Sequence, residues 1–309
     1  MGHPYITVFT PTYNRKDQIK RLYKSLCNQE TMNFEWIIID DDSVDGTEEM
    51  VQEWIHTNQR DFGIRYYKQL HGGKHRAINK GVQLAQGIFF FIVDSDDYLM
   101  IDAITMVEGW GKEVEERDDI AGVSGMKISN TGVIGGIPIL EKGMDWIEAN
   151  NFERSKYNLS GDKAEVYKTS ILKKYPFPEF EGEYFVTEAV CWDAIAADGY
   201  KVRWYNYPIY HCEYLEDGLT KSGANSMKGH IENYQGYCYY VRQCLRLKPV
   251  LDGITEFRQY RKLVYVMHFR VSKKAHDIGM SVLQYFIWSF VVMPFLYCIR
   301  IIIRKHKKR

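Results

Sequence analysis

The sequence lacks the cysteine patterns that mark metal-binding and disulfide-stabilised proteins. Its six cysteines form no Cys-x-x-Cys pair and no zinc-ligand spacing, and several lie in apolar runs. We therefore expect reduced, buried thiols in a cytoplasmic chain. The N-terminus also lacks the basic and apolar segments of a secretory signal, and Ile6 stands where a myristoylation motif needs Ser or Thr. The sequence contains no internal repeat and no low-complexity linker.

Aromatic residues are abundant, and the charges are unevenly distributed. Aromatics make up 15% of the 309 residues, with 23 Tyr, which fits either clefts and interfaces or an aromatic-rich core. The net charge is zero, but from residue 242 onward 15 Lys and Arg face three acids, a balance of +12. A basic C-terminal region on an acidic body indicates an anionic partner surface, either a membrane or a nucleic acid.

The C-terminal region contains a long uncharged stretch. Residues 280–299 are 20 residues without a charged side chain, long enough to span a bilayer. A single span from a cytoplasmic body would place the basic end outside, against the positive-inside rule. We therefore expect segment 280–303 to form a helix, kinked near Pro294, that lies in or dips into the anionic inner leaflet. This uncharged stretch favours lipid over nucleic acid, and a buried helix in an oligomer is the alternative.

The first 100 residues alternate between short apolar runs and segments of helical periodicity. The apolar runs are 5–10, 34–39, 64–67 and 88–93, and the helical segments are 16–29, 47–57 and 74–85. Later helices are predicted at 102–118, 163–175, 187–198 and 228–247, and later strands at 120–129, 131–139, 201–205 and 208–212. The alternation predicts an α/β fold with a mostly parallel, Rossmann-like central sheet flanked by helices. Ligands of such sheets bind beyond the carboxyl ends of the strands.

Two of the predicted strands end in clusters of acids. Residues 89–97 read FFFIVDSDD, and residues 36–42 read WIIIDDD. At 4 Å, two like charges repel by about 4 kcal/mol at an effective dielectric of 20. We therefore expect a positive group between the strand ends, such as a divalent cation carrying a phosphate ester.

Asp94 and Asp96 form an Asp-x-Asp element that suits a hard cation. Two carboxylates at a strand end, with water and phosphate oxygens, provide a site that Mg²⁺ or Mn²⁺ accepts. Phosphatases of the haloacid-dehalogenase type also use such an element, but after the first strand and with Thr or Val where Tyr98 stands here.

Four short motifs in a fixed order make the pattern more specific. They are PTYNR at 11–15, DDDSVDGT at 40–47, GGK at 72–74 and DSDD at 94–97. This series resembles the family 2 glycosyltransferases of the GT-A fold over roughly residues 4–220. The resemblance implies a nucleotide-sugar transferase domain at 1–222, which we expect to be followed by a helical, basic and aromatic region at 223–309 with the membrane-associating segment.

The resemblance also implies a donor site. The positions that it assigns to the donor are Pro11, Thr12, Tyr13, Asp41, Lys74, Asp94, Ser95 and Asp96. Residues 11–13 would line the base pocket, and Asp41 would accept a hydrogen bond from the base. Asp96 would hold Mn²⁺ or Mg²⁺ on the diphosphate, and Asp94 would contact the ribose or the metal.

Some of these residues have structural alternatives. Asp41 is also placed to cap the helix after Gly46, a role that Ser43 or Asp45 could fill instead. Lys74, near a helix start, is predicted to contact the diphosphate or ribose, with an exposed lysine as the alternative. The neighbouring histidines 71 and 75 are expected to be solvated or hydrogen-bonded rather than metal ligands.

The resemblance places a catalytic carboxylate at the start of a late helix, where Glu188 is the matching acid. Here Thr-Glu replaces the family's Glu-Asp, so the longer side chain must reach with a different geometry. The alternative is a first-turn acid that favours the helix dipole. Trp192 would stack on a sugar or pack, and Asp162 is a candidate acceptor contact. His211 is a possible third metal ligand, but a packed strand histidine is favoured.

Residues 217–222 resemble a loop that closes over the donor. The function predicted is an inverting glycosyltransferase that moves a sugar from a nucleotide-sugar, most often UDP-linked. The acceptor would be a saccharide or lipid-linked saccharide at the cytoplasmic face of the membrane. The alternatives are a phosphatase-like or receiver-like phosphotransfer protein and a non-catalytic nucleotide-sugar-binding membrane protein.

Overall fold

The computed structural model describes residues 3–57, 61–213, 226–248 and 250–295. The chain divides into two compact units. The first comprises Met1–Phe177 and Cys191–Lys221, and the second comprises Pro178–Val190 and Ser222–Arg309. This division differs from a single boundary after residue 222, because residues 178–190 belong to the second unit. The loop 217–222 lies outside the described residues.

The first unit is built on one sheet. Its strands are β1 Ile6–Thr12, β2 Phe34–Asp40, β3 Gly63–Lys68, β4 Phe89–Ile92, β5 Tyr98–Leu99, β6 Ile120–Ser129, β7 Gly132–Val133, β8 Trp146–Ala149, β9 Lys163–Lys168 and β10 Lys201–His211. Their order is β3-β2-β1-β4-β9-β6-β10-β5, with β7 beside β6 and β8 beside β10. The helices are α1 Lys16–Cys27, α2 Thr47–Thr57, α3 Lys74–Leu84, α4 Ala103–Val114, α5 Thr169–Leu172 and α6 Ala189–Ala197.

The N-terminal half of this sheet is parallel, as the alternation predicted. Strand β1 pairs in parallel with β2 and β4, and β2 pairs in parallel with β3. The side chains of β2 are buried along its whole length, because a strand covered on both faces has no solvent side. Each predicted strand and helix of this half ends within two residues of its predicted bounds.

The second half of the sheet is mixed rather than mostly parallel, although β6 and β10 do pair in parallel. Strand β9 pairs antiparallel with both β4 and β6, and β5, β7 and β8 also pair antiparallel. A parallel pairing needs a long crossover, usually a helix, but only short strands and a three-residue 3-10 helix lie between β6 and β9. The helix predicted at 163–175 is wrong for residues 163–168, where pairing on both edges imposes strand β9 on a sequence with good helix formers, and right only for the short helix α5 at Thr169–Leu172.

Aromatic side chains fill much of the core. The Tyr23 ring stacks on the Trp54 ring at 4.2 Å between centroids and lies 6.0 Å from that of Trp36. Trp36 is fully buried. Much of the aromatic excess therefore packs the interior rather than lining a cleft.

The second unit is helical. Its helices are α7 Met227–Glu232, α8 Tyr234–Leu247, α9 Val250–Val266, α10 Val271–Asp277 and α11 Val282–Ile287, which continues as a π-helical turn at Trp288–Val292. Buried residues of α8 and α9, such as Val241, Phe257 and Tyr260, form a separate hydrophobic core.

The predicted membrane segment is a bent helix pair. In the described part of the chain, no single helix is long and apolar enough to cross a membrane, and only Val271–Asp277 with Val282–Phe295 meets that test jointly, across a 95° bend. A π-helical turn at Trp288–Val292 lies just before Pro294, whose missing N–H removes a normal helical bond. Residues 296–309 lie outside the described residues.

Candidate active site

The loops that follow β1 and β2 are bonded to each other. The Asn14 N–H donates to Ser43 Oγ at 2.8 Å, and the Val44 N–H donates to Asn14 Oδ1 at 2.9 Å. Asn14 adopts a positive φ of 50°, which Asn tolerates better than most residues. The Asp41 N–H donates to the Thr12 carbonyl at 2.8 Å. Residues 11–13 and Asp41, predicted to face the base, therefore lie at one edge of the sheet.

Asp41 holds the glycine loop that leads into α3. Its carboxylate accepts hydrogen bonds from the backbone N–H groups of Gly72, at 2.9 Å, and Gly73, at 2.8 Å. It also accepts from Gln69 Nε2 at 2.8 Å and lies 2.9 Å from His71 Nδ1. Asp41 is 5% exposed, so these contacts satisfy a buried carboxylate.

The helix-capping alternative for Asp41 is not what the structure shows. Asp45 fills that role, since its carboxylate accepts from the Thr47 N–H at 3.1 Å at the start of α2. His71 stacks its ring on Tyr13 at 4.4 Å between centroids and also contacts Asp41, which fits the expected hydrogen-bonded histidine.

Lys74 connects the two acidic strand ends. It is the first residue of α3, directly after the glycines that Asp41 holds. Its Nζ lies 2.7 Å from Asp94 Oδ1, and both side chains are partly buried. Asp41 and Asp94 are thus joined through three consecutive residues, so the two acidic clusters meet at the same edge of the sheet.

The acids of 94–97 have different environments. Asp97 is 6% exposed and accepts from the Tyr210 hydroxyl at 2.8 Å and from the Glu213 N–H at 2.9 Å. Burial, with repulsion from Asp94, raises the pKa of Asp97 to about 6. Its hydrogen bonds to β10 and to the residue that follows Cys212 make it a structural member of the cluster.

Two side chains of this cluster, Tyr210 and Lys127, belong to none of the sequence motifs. Tyr210 is fully buried on β10, accepts from the Asp94 N–H at 3.0 Å and donates to Asp97. Lys127 on β6 places its Nζ 4.1 Å from the centroid of the Tyr210 ring. Burial lowers the pKa of Lys127, but the carboxylates around it, Asp94 foremost, outweigh burial and raise the pKa to about 12.

The chain therefore supplies much of the positive charge that the acidic strand ends require. Burial raises the pKa of Asp94, but attraction to Lys74 and Lys127 outweighs it and holds that pKa below its usual value. The expected positive groups at the strand ends thus include two lysines of the chain itself, which the sequence did not identify as charge partners of Asp94.

Asp96 differs from its neighbours. Among the described residues its carboxylate forms no ion pair, and burial together with the charge of Asp94 raises its pKa. No three His, Cys, Asp or Glu side chains of the described ranges converge as a ready-made metal site. A divalent cation on a diphosphate needs only one or two carboxylates, however, because phosphate oxygens and water complete its shell. Asp96, with Asp94 beside it, fits that requirement.

His211 ends β10 opposite Tyr98 in β5. It is 7% exposed, and its ring stacks on Tyr98 at 4.5 Å between centroids. Its Nδ1 has no hydrogen-bond partner among the described residues. The packed strand histidine is the arrangement observed.

The remaining candidates lie in three different settings. Ser95 is buried within the cluster, and Asp162 is exposed on the loop before β9, near enough to raise the pKa of Lys127. Trp192 is 7% exposed and stacks on Tyr167 at 4.3 Å, so packing, rather than sugar stacking, is what the structure favours. Glu188 is half-buried in the second unit, one residue before α6.

Several known glycosyltransferases are similar to this chain in sequence. Residues 7–167 match the family model described as glycosyl transferase family 2. The chain is 30% identical over 250 residues to the GalNAc(5)-diNAcBac-PP-undecaprenol beta-1,3-glucosyltransferase of Campylobacter jejuni, covering 74% of this chain and 72% of that protein. It is 35% identical over 94 residues to the putative teichuronic acid biosynthesis glycosyltransferase TuaG of Bacillus subtilis, covering 30% and 36%.

Solved structures share the fold at low identity. TarS 1–349 of S. aureus in complex with UDP-GlcNAc is 17% identical, with a TM-score of 0.53 over 91% of this chain and 89% of that one. The mannosyltransferase PcManGT of Pyrobaculum calidifontis, in complex with GDP-Man and Mn²⁺, is 17% identical, with a TM-score of 0.52 over 86% and 76%. The α/β architecture with a sheet flanked by helices, predicted from the sequence, is confirmed, but the sheet is mixed rather than mostly parallel.

Proposed function

The chain belongs to glycosyl transferase family 2 and is a glycosyltransferase, and on that premise we propose that it transfers a sugar from a UDP-linked donor with inversion at the anomeric carbon. The observation that carries the donor proposal is the convergence of Asp41, Lys74, Asp94 and Asp96 at one edge of the sheet. The TarS structures with UDP and UDP-GlcNAc support a uridine nucleotide.

The nucleotide would bind along this edge. Tyr13, which is 46% exposed, offers a ring face on the β1 side. The diphosphate would lie toward Lys74, where the ammonium group and the positive end of the α3 helix dipole favour negative charge. Lys74 would then exchange part of its contact with Asp94 for phosphate oxygens.

Asp96, with Asp94, would hold Mn²⁺ or Mg²⁺. A divalent cation bound there would neutralise charge on the departing diphosphate. Asp97 would not take part directly, because its two oxygens are bonded to Tyr210 and to the Glu213 N–H.

Glu188 is proposed as the general base. The acceptor hydroxyl oxygen would attack the anomeric carbon while the bond from that carbon to the diphosphate oxygen breaks. The Glu188 carboxylate would take the hydroxyl proton, and the nucleoside diphosphate would leave with the electron pair. Attack from the side opposite the leaving group inverts the anomeric configuration.

The acceptor is proposed to be lipid-linked, and the enzyme to work at the cytoplasmic face of the membrane. The name of the Campylobacter relative specifies an undecaprenol-linked saccharide. In the bent helix pair, large apolar side chains of 282–295 are exposed, with Leu283, Phe290 and Phe295 each between 65% and 69%. Exposed apolar side chains next to a strongly basic segment favour contact with anionic lipid.

The test is UDP release from a panel of UDP-sugars with Mn²⁺ and a membrane-extracted acceptor. We expect acceptor-dependent UDP release by the wild-type chain and a loss of about a hundredfold or more in Glu188→Gln, the usual contribution of a general base. Glu181→Gln, an exposed acid of the same segment, is the matched control and should leave the rate unchanged. If the wild-type chain binds UDP but releases none from UDP-sugars, and if Glu188→Gln changes neither result, the chain is instead a non-catalytic nucleotide-sugar-binding protein.

A further inference from the structure

The helical unit contains a cavity of about 270 Å³. It is lined by residues 185–187 and by side chains of α7, α8 and α9, among them His230, Tyr237, Tyr240 and Glu256. This volume is far larger than one water requires and lies near the lower end of pockets that bind small molecules.

The Tyr237 hydroxyl is buried without a partner. The residue is 6% exposed, and its hydroxyl oxygen has no hydrogen-bond partner among the described residues. Burial, with the nearby charge of Glu256, raises the pKa of this hydroxyl, so it remains a donor at neutral pH. A buried polar group in a native protein is normally bonded, which points to a ligand or ordered water in the cavity.

Glu256 and His230 add a carboxyl group and an imidazole ring to the cavity lining. Burial raises the pKa of Glu256, although Lys248 opposes it, and among the described residues no side chain donates a hydrogen bond to this carboxyl group. The His230 ring stacks on Tyr237 at 3.9 Å, and burial lowers its pKa, so it is neutral at pH 7. The half-buried Tyr240 contributes an aromatic surface.

This combination fits an uncharged ligand rich in hydroxyl groups. The Glu256 carboxylate and the lack of Lys and Arg in the described lining disfavour an anion. A phenol donor, a carboxylate acceptor and aromatic faces are complementary to a sugar ring, whose hydroxyls both donate and accept. The cavity volume suits a small sugar unit rather than a long chain.

We propose that this cavity binds a saccharide unit of the acceptor, with sugar hydroxyls bonded to Tyr237 and Glu256. The assignment of the ligand to the acceptor rests on the proposed function. Thr187 lines the cavity, and Glu188, the proposed base, is the next residue in the chain. The cavity thus adjoins the chain segment that carries the proposed base.

Direct titration of the full chain tests the site. The probes are the methyl β-glycosides of glucose, galactose, N-acetylglucosamine and N-acetylgalactosamine, and their binding is measured by saturation-transfer NMR. Tetramethylammonium is titrated in parallel to test whether the cavity binds a cation instead. We expect at least one glycoside to bind and Tyr237→Phe to weaken it about fivefold, the factor for one ordinary hydrogen bond. Glu256→Gln should weaken it by a similar factor or more.

Tyr234→Phe is the matched control on the same helix. The Tyr234 hydroxyl donates to Asp277 Oδ2 at 2.6 Å, so this variant should lose stability but keep its glycoside affinity. Tyr237→Phe removes a hydroxyl that has no hydrogen-bond partner within the described part of the chain, so this variant should keep its stability. A purely structural hydroxyl would instead lower stability when removed.

The titration contains no nucleotide-sugar, so it tests glycoside binding independently of whether sugar transfer is detected. Where transfer is observed, Tyr237→Phe should raise the acceptor KM. The proposal is overturned if no glycoside binds, if tetramethylammonium binds instead, or if both cavity variants bind glycosides as tightly as the wild type.

Discussion

Replacing Asp41 by Asn should loosen the glycine loop that positions Lys74. The carboxylate oxygens of Asp41 receive four contacts, from Gly72, Gly73, Gln69 and His71, all at 2.8 to 2.9 Å. Asparagine keeps one acceptor oxygen, and its NH₂ group would face donors, so about two of these contacts are lost. Losing two hydrogen bonds to a buried charged acceptor costs about 2 to 4 kcal/mol.

The assay is hydrogen exchange of the backbone amides of Gly72 and Gly73. A loss of about 2 to 4 kcal/mol corresponds to exchange faster by about 30- to 700-fold, if the loop opens locally. The affinity for UDP should also fall in Asp41→Asn, because the loosened glycines directly precede Lys74 and no longer hold it in place. Asp42→Asn is the matched control, because Asp42 is exposed and its φ of 77° suits Asn. Equal exchange in both variants would refute the role assigned to Asp41.

Three further predictions concern other parts of the chain. Lys74→Ala should lower UDP affinity about tenfold by removing a charged phosphate contact, whereas Lys80→Ala on the same helix should not, as calorimetric titration would show. Glu256→Gln should raise the melting temperature at pH 7. Burial raises the pKa of Glu256 above 4.5, so the wild type loses stability as pH rises through the folded-state pKa, and the difference should vanish well below pH 4.5. Gly122→Ala should lower the free energy of unfolding by about 1 to 3 kcal/mol in urea titrations, because its Cβ would clash with the carbonyl oxygen of Val166 in β9, whereas the Cβ of Gly63→Ala would meet nothing within 4 Å.

The sequence predicted the N-terminal half of the fold well because local signals were strong there. Apolar runs alternate with amphipathic helices, and each crossover is long enough to carry a helix back across the sheet. Strand β9 could not be predicted in the same way. Its sequence, KAEVYK, has no strand pattern of its own, and its direction is set by the two strands on either side of it.

The candidate site was partly readable from the sequence. Asp41, Lys74 and Asp94 follow strand ends or begin a helix, so the topology brings them together without knowledge of side-chain contacts. Lys127 and Tyr210 were missed because each is a single residue in a later strand, and only the pairing of β6 with β10 places them beside the acids. Lys127 adds positive charge beside Asp94, and Tyr210 adds hydrogen bonds to Asp94 and Asp97, so the sequence alone did not show how the acids are partnered.

The structure of the C-terminal region was also only partly predictable from the sequence. Its uncharged stretch predicted an apolar helix, and the structure has exposed apolar side chains there. The 95° bend before that helix falls at a segment with Gly279 at φ 72°, and a lone glycine gives no such signal in the sequence.

The most direct test of the central claim, that the sheet edge holding Asp41, Lys74, Asp94 and Asp96 binds the donor diphosphate, is a calorimetric titration of UDP with and without Mn²⁺. The wild-type chain should bind UDP more tightly with Mn²⁺. Asp96→Asn should abolish that gain, and Asp118→Asn, an exposed acid after α4, should retain it. UDP binding of equal strength in Asp96→Asn and the wild type, with no effect of Mn²⁺ on either, would contradict the claim.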